Sequence, residues 1–337
     1  MAERRKGRRG GTVLKIVAAL ALLLVLALGA VWLLGPREPV DLTLRFDPAA
    51  LGGDLDAYLA RAEADVPNLR PEAAKEIRWA YPASRARTPI ALVYIHGFSA
   101  SKDELRPLPD LVAQRLGANL FLTRLSGHGR NGAAMAEASV NDWWNDLAEA
   151  LAIGRRLGER VVVIGNSTGG TLAVLGASDP ELMRDVAGLV LLSPNFGPKD
   201  RRSFVLDLPF AREFGPRLFG PEWGATSGDP RIAAVWTERY PTVALLTMGA
   251  LVRAARTSDI GRIALPALFL FNPNDKVVDP AKTRALIDRW PARKDVVEVP
   301  DTTDPNGHIL AGDLVSPGTT EALANRIAEW VQALPKS

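Results

Sequence analysis

The feature that most constrains this chain is a five-residue turn set between two different patterns. Val161-Val162-Val163-Ile164 is an unbroken apolar run of strand length, Gly165-Asn166-Ser167-Thr168-Gly169 follows at once, and Thr168 to Gly176 then reads as a helix. Continuous rather than alternating hydrophobicity marks a strand buried on both faces. A chain that leaves such a strand straight into a helix has room for one sharp bend. The residue at its apex takes a strained backbone conformation, and side chains two positions to either side would collide. Gly165 and Gly169 occupy those two positions, and Gly170 adds a further small residue where the helix presses on the sheet. In a chain with 29 glycines the pattern G-x-S-x-G alone says little. Its strand–turn–helix setting says more, because that is the context in which a serine hydroxyl is lifted clear of a sheet, at a helix N-terminus that favours developing negative charge. Ser167 is the expected nucleophile.

The same alternation extends along most of the chain. Ile90 to Ile95 is a continuous apolar strand, followed by a helix over Leu105 to Leu116, a short strand Leu120 to Leu122, and a helix Asn141 to Leu157 with Asn141 as a plausible N-cap. Beyond the turn come a strand Ala187 to Leu192, then strand Ala267 to Phe271, helix Ala281 to Trp290, strand Val296 to Val299 and helix Thr319 to Leu334. Strands alternating with helices imply βαβ units: a mostly parallel central sheet with helices on both faces. The core is expected over 88–194 and 266–337. Between them, 195–265 carries Phe196, Phe204, Phe210, Phe214, Phe219, Trp223, Trp236 and Tyr240, helical patches over Ile232 to Tyr240 and Val243 to Ala255, and no buried strand. A small helical lid is the expectation there. Upstream, 35–87 reads as a linker and an extension packed on the core, with strands at Leu42 to Phe46 and Ile77 to Tyr81 and a helix over Asp54 to Ala64.

The serine needs a base, and the chain has three histidines, His96, His128 and His308. In turns of this type the chain order is nucleophile, acid, histidine, and only His308 follows Ser167. It lies in the loop Asp304-Pro305-Asn306-Gly307-His308, after a strand, from which it can reach the turn. The acid is expected at the end of another strand. Asp275, closest to the end of Ala267 to Phe271, is the first choice. Asp279 stands just before Pro280 and reads better as a helix N-cap, while Asp301 and Asp304 share the histidine's own loop. His96-Gly97-Phe98 follows a strand upstream, where an oxyanion hole would draw on the backbone N–H groups of Phe98 and Thr168. His96 is expected to brace that loop. Trp143, Trp144 and Asp146 are read as packing and a local hydrogen bond, and the turn Ser126-Gly127-His128-Gly129 as part of the pocket rim.

As a set, His96-Gly97-Phe98, Gly127-His128-Gly129, Gly165-Asn166-Ser167-Thr168-Gly169, Asp275 with Val277-Val278, and Gly307-His308 resemble the α/β-hydrolase superfamily, in its monoacylglycerol lipase, lysophospholipase and carboxylesterase branch, over roughly residues 88–334. The resemblance implies a Ser167–Asp275–His308 triad, an oxyanion hole from Phe98 and Thr168, a lid between later strands, and no metal or cofactor. It points to an esterase or lipase acting through an acyl-enzyme. His128, Phe196 and Phe204 are the expected substrate contacts. The elbow reading Asn166-Ser167-Thr168, an extension of about 50 residues (37–87) before the core and an N-terminal apolar segment depart from common members. Thioesterase, C–C hydrolase and aminopeptidase chemistry use the same triad, and a binding protein on a hydrolase scaffold is the alternative of a different class. Enzymes of this fold that attack with an aspartate are disfavoured by Ser167.

Charge and hydropathy place the chain rather than its chemistry. Residues 1–15 carry six cations against Glu3 alone, net +5, so the whole-chain +3 leaves −2 for the remainder. A nucleic-acid surface on the body therefore has no support. The absence of cysteine excludes disulfides, cysteine nucleophiles and thiolate metal sites. Ile16 to Leu34 is an uninterrupted apolar run of 19 residues, close to the about 20 that a helix needs to cross a bilayer. With the basic residues on its N-terminal side, the expectation is a signal anchor: a cytoplasmic basic tail over 1–15, a span over 16–34 and the rest outside, in the periplasmic or extracellular space. Cleavage as a signal peptide near Ala27-Leu28-Gly29, which would release a secreted protein, is the rival, against which Val31-Trp32-Leu33-Leu34 continues the run.

Overall fold

The computed structural model describes residues 3–335, with side chains from Val13 onward in the first helix. The side chains of Arg4, Arg5, Lys6, Arg8 and Arg9 in the basic tail lie outside the described residues. In chain order the elements are α1 (Glu3–Leu34), α2 (Leu55–Ala64), β1 (Glu76–Arg78), β2 (Thr88–Ile95), α3 (Leu108–Leu116), β3 (Asn119–Leu122), α4 (Val140–Leu157), β4 (Gly158–Asn166), α5 (Thr168–Ala177) and β5 (Val186–Leu192). An insertion holds α6 (Ala211–Phe219), β6 (Glu222–Gly224), α7 (Pro230–Val235), β7 (Arg239–Pro241) and α8 (Ala244–Thr257), after which β8 (Ala267–Phe271), α9 (Pro280–Arg289), β9 (Lys294–Glu298) and α10 (Pro317–Gln332) complete the chain.

Seven strands form one sheet in the order β1-β3-β2-β4-β5-β8-β9, all parallel except β1, which pairs antiparallel with β3 at the edge. The unbroken apolar runs have a direct cause, since every strand residue of the centre meets a helix on one side or the other. Leu92, Tyr94, Val162, Ile164 and Val190 pack toward α3 and α10, against Ile327 and Trp330. Their neighbours Val93, Ile95, Val161, Val163 and Leu189 pack toward α4, α5 and α9, against Trp143, Leu147 and Trp290. Burying one such side chain is worth about 1.5–3 kcal/mol, and a one-residue slip would send every side chain to the opposite face and lose its fit with the helices there. Parallel strands with helical crossovers bring the ends of β2, β4, β8 and β9 to one edge of the sheet, the place where open α/β sheets build sites.

Four local expectations change. Leu42 to Phe46 is no strand: the side-chain amides of α4 take the place of a neighbouring strand, Asn145 Oδ1 accepting from Arg45 N and Phe46 N (2.6 and 2.9 Å) and Asn141 Nδ2 donating to Thr43 O (2.9 Å). Asn141 is thereby occupied, and Ser139 caps α4 instead, in a reciprocal capping box with Asp142. Of the strand expected over 77–81 only Ile77 and Arg78 pair, joined by Glu76 ahead of them, because β1 is a short edge. The insertion is not wholly helical: α7 stops at Val235, and Tyr240 enters a two-stranded antiparallel sheet opposite Trp223. Residues 54–75 are fixed to the core by buried ionic groups, Arg124 gripping Glu63 at 2.7 and 2.8 Å and Lys75 pairing with Glu149, which also accepts from Tyr58 Oη at 2.6 Å.

Val13–Leu34 of α1 is long and apolar enough to cross a membrane, a property that membrane spans and N-terminal signal sequences share. Where it ends, the chain is held to the insertion. Phe210 N donates to Pro36 O (2.8 Å), Arg37 Nε to Asp207 O (3.1 Å) and Arg253 to Glu38 O (2.8 Å), and Glu38 pairs with Arg212 at 2.6 Å.

Candidate active site

Ser167 stands at the apex between β4 and α5 with φ 48° and ψ −114°, a conformation strained for any L-residue. The neighbouring glycines explain how the bend is tolerated. A Cβ on Gly165 would lie 2.7 Å from the Gly170 backbone, and one on Gly169 would strike the carbonyls of Ile95 and His96. Ser167 N donates to Leu192 O at 2.9 Å and Asn195 N to Ser167 O at 3.1 Å, so the ends of β4 and β5 hold the apex between them.

His308 Nε2 is 3.0 Å from Ser167 Oγ, and His308 Nδ1 is 2.7 Å from Asp275 Oδ2. All three side chains are buried. Asp275 is steadied through its other oxygen, which accepts from Val277 N (2.7 Å) and Val278 N (3.0 Å). The histidine loop is fixed by Asp304, which does not act as the acid partner here: its Oδ2 accepts from His308 N and Ile309 N, each at 2.8 Å, and its Oδ1 from Asn306 N at 2.9 Å. Ser193 Oγ, at the end of β5, donates to His308 O at 2.6 Å. Gly307 has φ +66°, and a Cβ there would sit 2.8 Å from Asn272 Nδ2. Asp279 caps α9, accepting from Ala281 N at 3.1 Å, and Asp301 takes no part in the site. The line Ser167–His308–Asp275 can move a proton from the hydroxyl to an imidazole whose far nitrogen is held by a carboxylate.

Gly97 and Phe98 follow β2 and border the same space as Ser167 and Thr168. Thr168 opens α5, so its N–H lacks a carbonyl four residues back. His96 is wholly buried: its Nε2 accepts from Leu125 N (3.0 Å), which leaves the proton on Nδ1 to be donated to Gly97 O (2.8 Å). Burial pushes His96 down to about 4, so it stays neutral. The turn after β3 is tied to α4, Trp143 Nε1 donating to Ser126 O (2.9 Å) and Asp146 accepting from Ser126 N (2.6 Å).

Above Ser167 opens a cavity of about 800 Å³ with mostly apolar walls, to which the insertion contributes Leu206, Ala211, Phe219, Trp223, Tyr240 and Leu246. None of the three expected substrate contacts lines it. His128 is fully buried against His96, Phe98 and Trp143. Phe196 is buried in the core, and Phe204 is 62% exposed outside the cavity. Aromatic composition marked the right segment but not the face each ring presents. Among the described residues no cluster of His, Asp or Glu is arranged to hold a metal ion.

A residue that no pattern in the sequence singles out lies beneath the site. Glu104 belongs to Lys102-Asp103-Glu104, which reads as a solvated charge run, yet it is 1% exposed and borders the cavity. Only the apolar Leu105 beside it hinted that the run turns inward.

The profile of the alpha/beta hydrolase family matches residues 92–317, and the chain belongs to that family. Within it, the chain is similar to the thermostable monoacylglycerol lipase of Bacillus sp. (strain H-257), 28% identical over 192 residues, which is 57% of this chain and 73% of the lipase. Among solved structures, one of the metagenome-derived lipolytic enzymes LipS and LipT superposes with a TM-score of 0.62 at 20% identity, over 78% of this chain and 99% of that one. A soluble variant of monoglyceride lipase from Saccharomyces cerevisiae, in complex with a substrate analog, does so with a TM-score of 0.57 at 13% identity, over 77% and 90%. At those identities the superpositions speak for the fold.

Proposed function

We propose that the protein is a serine hydrolase of carboxylic esters, working through an acyl-enzyme on Ser167. The observation that carries this reading is the hydrogen-bonded line from Ser167 Oγ through His308 to Asp275 at the floor of an apolar cavity. In the proposed reaction His308 Nε2 takes the proton as Ser167 Oγ attacks the acyl carbon, and Asp275 holds the resulting imidazolium. The backbone N–H groups of Phe98 and Thr168 receive the oxyanion. His308 then protonates the departing alcohol, and water repeats the sequence in reverse to free the acid.

The substrate class we infer is a lipid-like ester such as a monoacylglycerol or lysophospholipid. Three features support it: the apolar walls of the cavity, the monoacylglycerol lipase among the relatives, and the apolar helix that ends against the insertion forming those walls. In this reading α1 anchors the protein with its N-terminus in the cytoplasm, residues 195–265 serve as the lid, and Pro36 to Glu38 hold the lid near the lipid surface. Full-length protein in detergent micelles, offered p-nitrophenyl esters and monoacylglycerols of increasing chain length, tests both parts. Turnover that rises with chain length and disappears in Ser167→Ala is the expected result. Fast acetate hydrolysis that falls steadily with length would remove the lipid assignment, and an unchanged rate in Ser167→Ala would remove the enzyme assignment.

A further inference from the structure

Glu104 is a carboxyl group with little access to water, reached by a tight turn in which its own N–H donates to Ser101 O (3.2 Å). Its Oε1 accepts two hydrogen bonds, from Gly97 N at 2.5 Å and from Tyr94 Oη at 2.8 Å. The other oxygen points at the flank of Gly97. A Cβ placed on Gly97 would be 3.1 Å from Glu104 Oε2, 3.2 Å from Ser167 Cβ and 3.5 Å from Asn166 Nδ2. Gly97 is therefore held closely between the nucleophile's side chain and this carboxyl group, where a side chain would fit only if one of them gave way by a few tenths of an ångström.

The grip matters because of what the next peptide does. A trans peptide plane fixes its C=O and N–H in opposite directions. The Gly97 carbonyl is taken by His96 Nδ1 at 2.8 Å, which turns the N–H of Phe98 the other way, toward the cavity that Phe98 borders. His96 thus holds the far end of Gly97 and Glu104 holds the near end. With both ends fixed, the Phe98 N–H has no freedom to swing as charge builds in front of it. An oxyanion donor is useful to the degree that it need not reorganise. Burial pushes Glu104 up to about 7 against the pull of its donors. Oε1 accepts in either protonation state, because an added proton would go to Oε2.

We propose that Glu104 is a positioning residue for acyl transfer, locking the Gly97 N–H from beneath so that the Phe98 N–H is held on the oxygen of the tetrahedral intermediate. This rests on the serine-hydrolase reading above, and the test separates the two. Kinetics with a p-nitrophenyl ester, together with inhibition by a trifluoromethyl ketone that forms a tetrahedral adduct on serine, would be compared in wild type, Glu104→Ala and Glu104→Gln. Glu104→Ala should lower kcat by about 10- to 100-fold with KM nearly unchanged, comparable at its upper end to loss of an oxyanion donor. The ketone's inhibition constant should rise by the same factor. Glu104→Gln, whose amide oxygen still accepts from Gly97, should recover most of both. If Glu104→Ala does not fold, Glu104→Met fills the same space without an acceptor and carries the same expectation. Wild-type kcat in the acceptor-less variant would overturn the inference and leave the hydrolase reading standing, and so would a Gln variant as impaired as the Ala or Met one. A wild type with no turnover, and no response to Ser167→Ala, would overturn both.

Discussion

The C-terminal edge of the sheet and the insertion that covers it are built on different principles. At the edge, β2, β4, β5 and β8 are apolar on both faces, Ser167 stands at the end of β4, and Asp275 and His308 lie on the loops after β8 and β9, each loop pinned by carboxylate–backbone hydrogen bonds. The insertion is a patchwork of a 3-10 turn, three helices of 6 to 14 residues and a small sheet of two three-residue strands, with Phe204, Phe210 and Leu218 exposed on it. The first region fixes atoms, whereas the second shapes a wall. In the proposed enzyme the edge therefore sets the rate of chemistry and the insertion sets which acyl chain fits. Substitutions in the two regions should separate along that line.

The largest effect expected is at the edge. Ser167→Ala or His308→Ala should each remove about three or more orders of magnitude of ester turnover, measured as kcat/KM with the melting temperature as control. Asp275→Asn should come close to that loss by misorienting the imidazole, whereas Asp279→Asn should leave turnover intact and touch only the α9 cap. An exchange of phenotypes between those two aspartates would break the account of the edge.

A stability effect comes next. Glu104 faces Tyr94, Asn166, the Gly97 amide and His308, and burial raises it from 4.5 to about 7. Across that window the unfolded chain releases a proton that the folded protein keeps, so wild-type stability falls as pH rises. Glu104→Gln lacks this loss, and its stability relative to wild type should grow by about 1–3 kcal/mol between pH 4.5 and 7.5 in denaturant titrations. A difference flat with pH would place the carboxyl in a more hydrated setting.

In the insertion, Phe219→Ala or Trp223→Ala should shift chain-length preference by about tenfold while sparing acetate hydrolysis, as removal of apolar contacts from a pocket does. An equal loss on all esters would show that the wall also holds the catalytic edge. The smallest effect belongs to the junction: Arg212→Ala breaks a pair whose guanidinium is half exposed while the Glu38 carboxylate is nearly buried, and should cost about 1 kcal/mol.

The same contrast explains what could be read in the sequence. Strands whose two faces are both buried declare themselves as apolar runs, and β8 begins and ends where its run does. Ser167, Asp275 and His308 were legible because strand ends and chain order leave few choices, and the structure brings those three within hydrogen-bond distance. The segment Leu42 to Phe46 alternates like a strand, but its partners are the side-chain amides of Asn141 and Asn145, which no periodicity reports. His128, Phe196 and Phe204 carry rings suited to a substrate pocket, but residue type does not say which way a ring faces, and none of the three lines the cavity. Glu104 was hidden for the opposite reason, since a carboxyl group in a charged run looks solvated until tertiary structure folds it under Ser167.

The most direct test is to stop the reaction of full-length protein with a p-nitrophenyl ester in acid within milliseconds and locate the acyl group by peptide mass spectrometry. The account predicts one added acyl group, on the peptide bearing Ser167, absent in Ser167→Ala and lost again as turnover completes. Turnover at the wild-type rate with the acyl group on another side chain, or with none trapped while Ser167→Ala remains active, would contradict it.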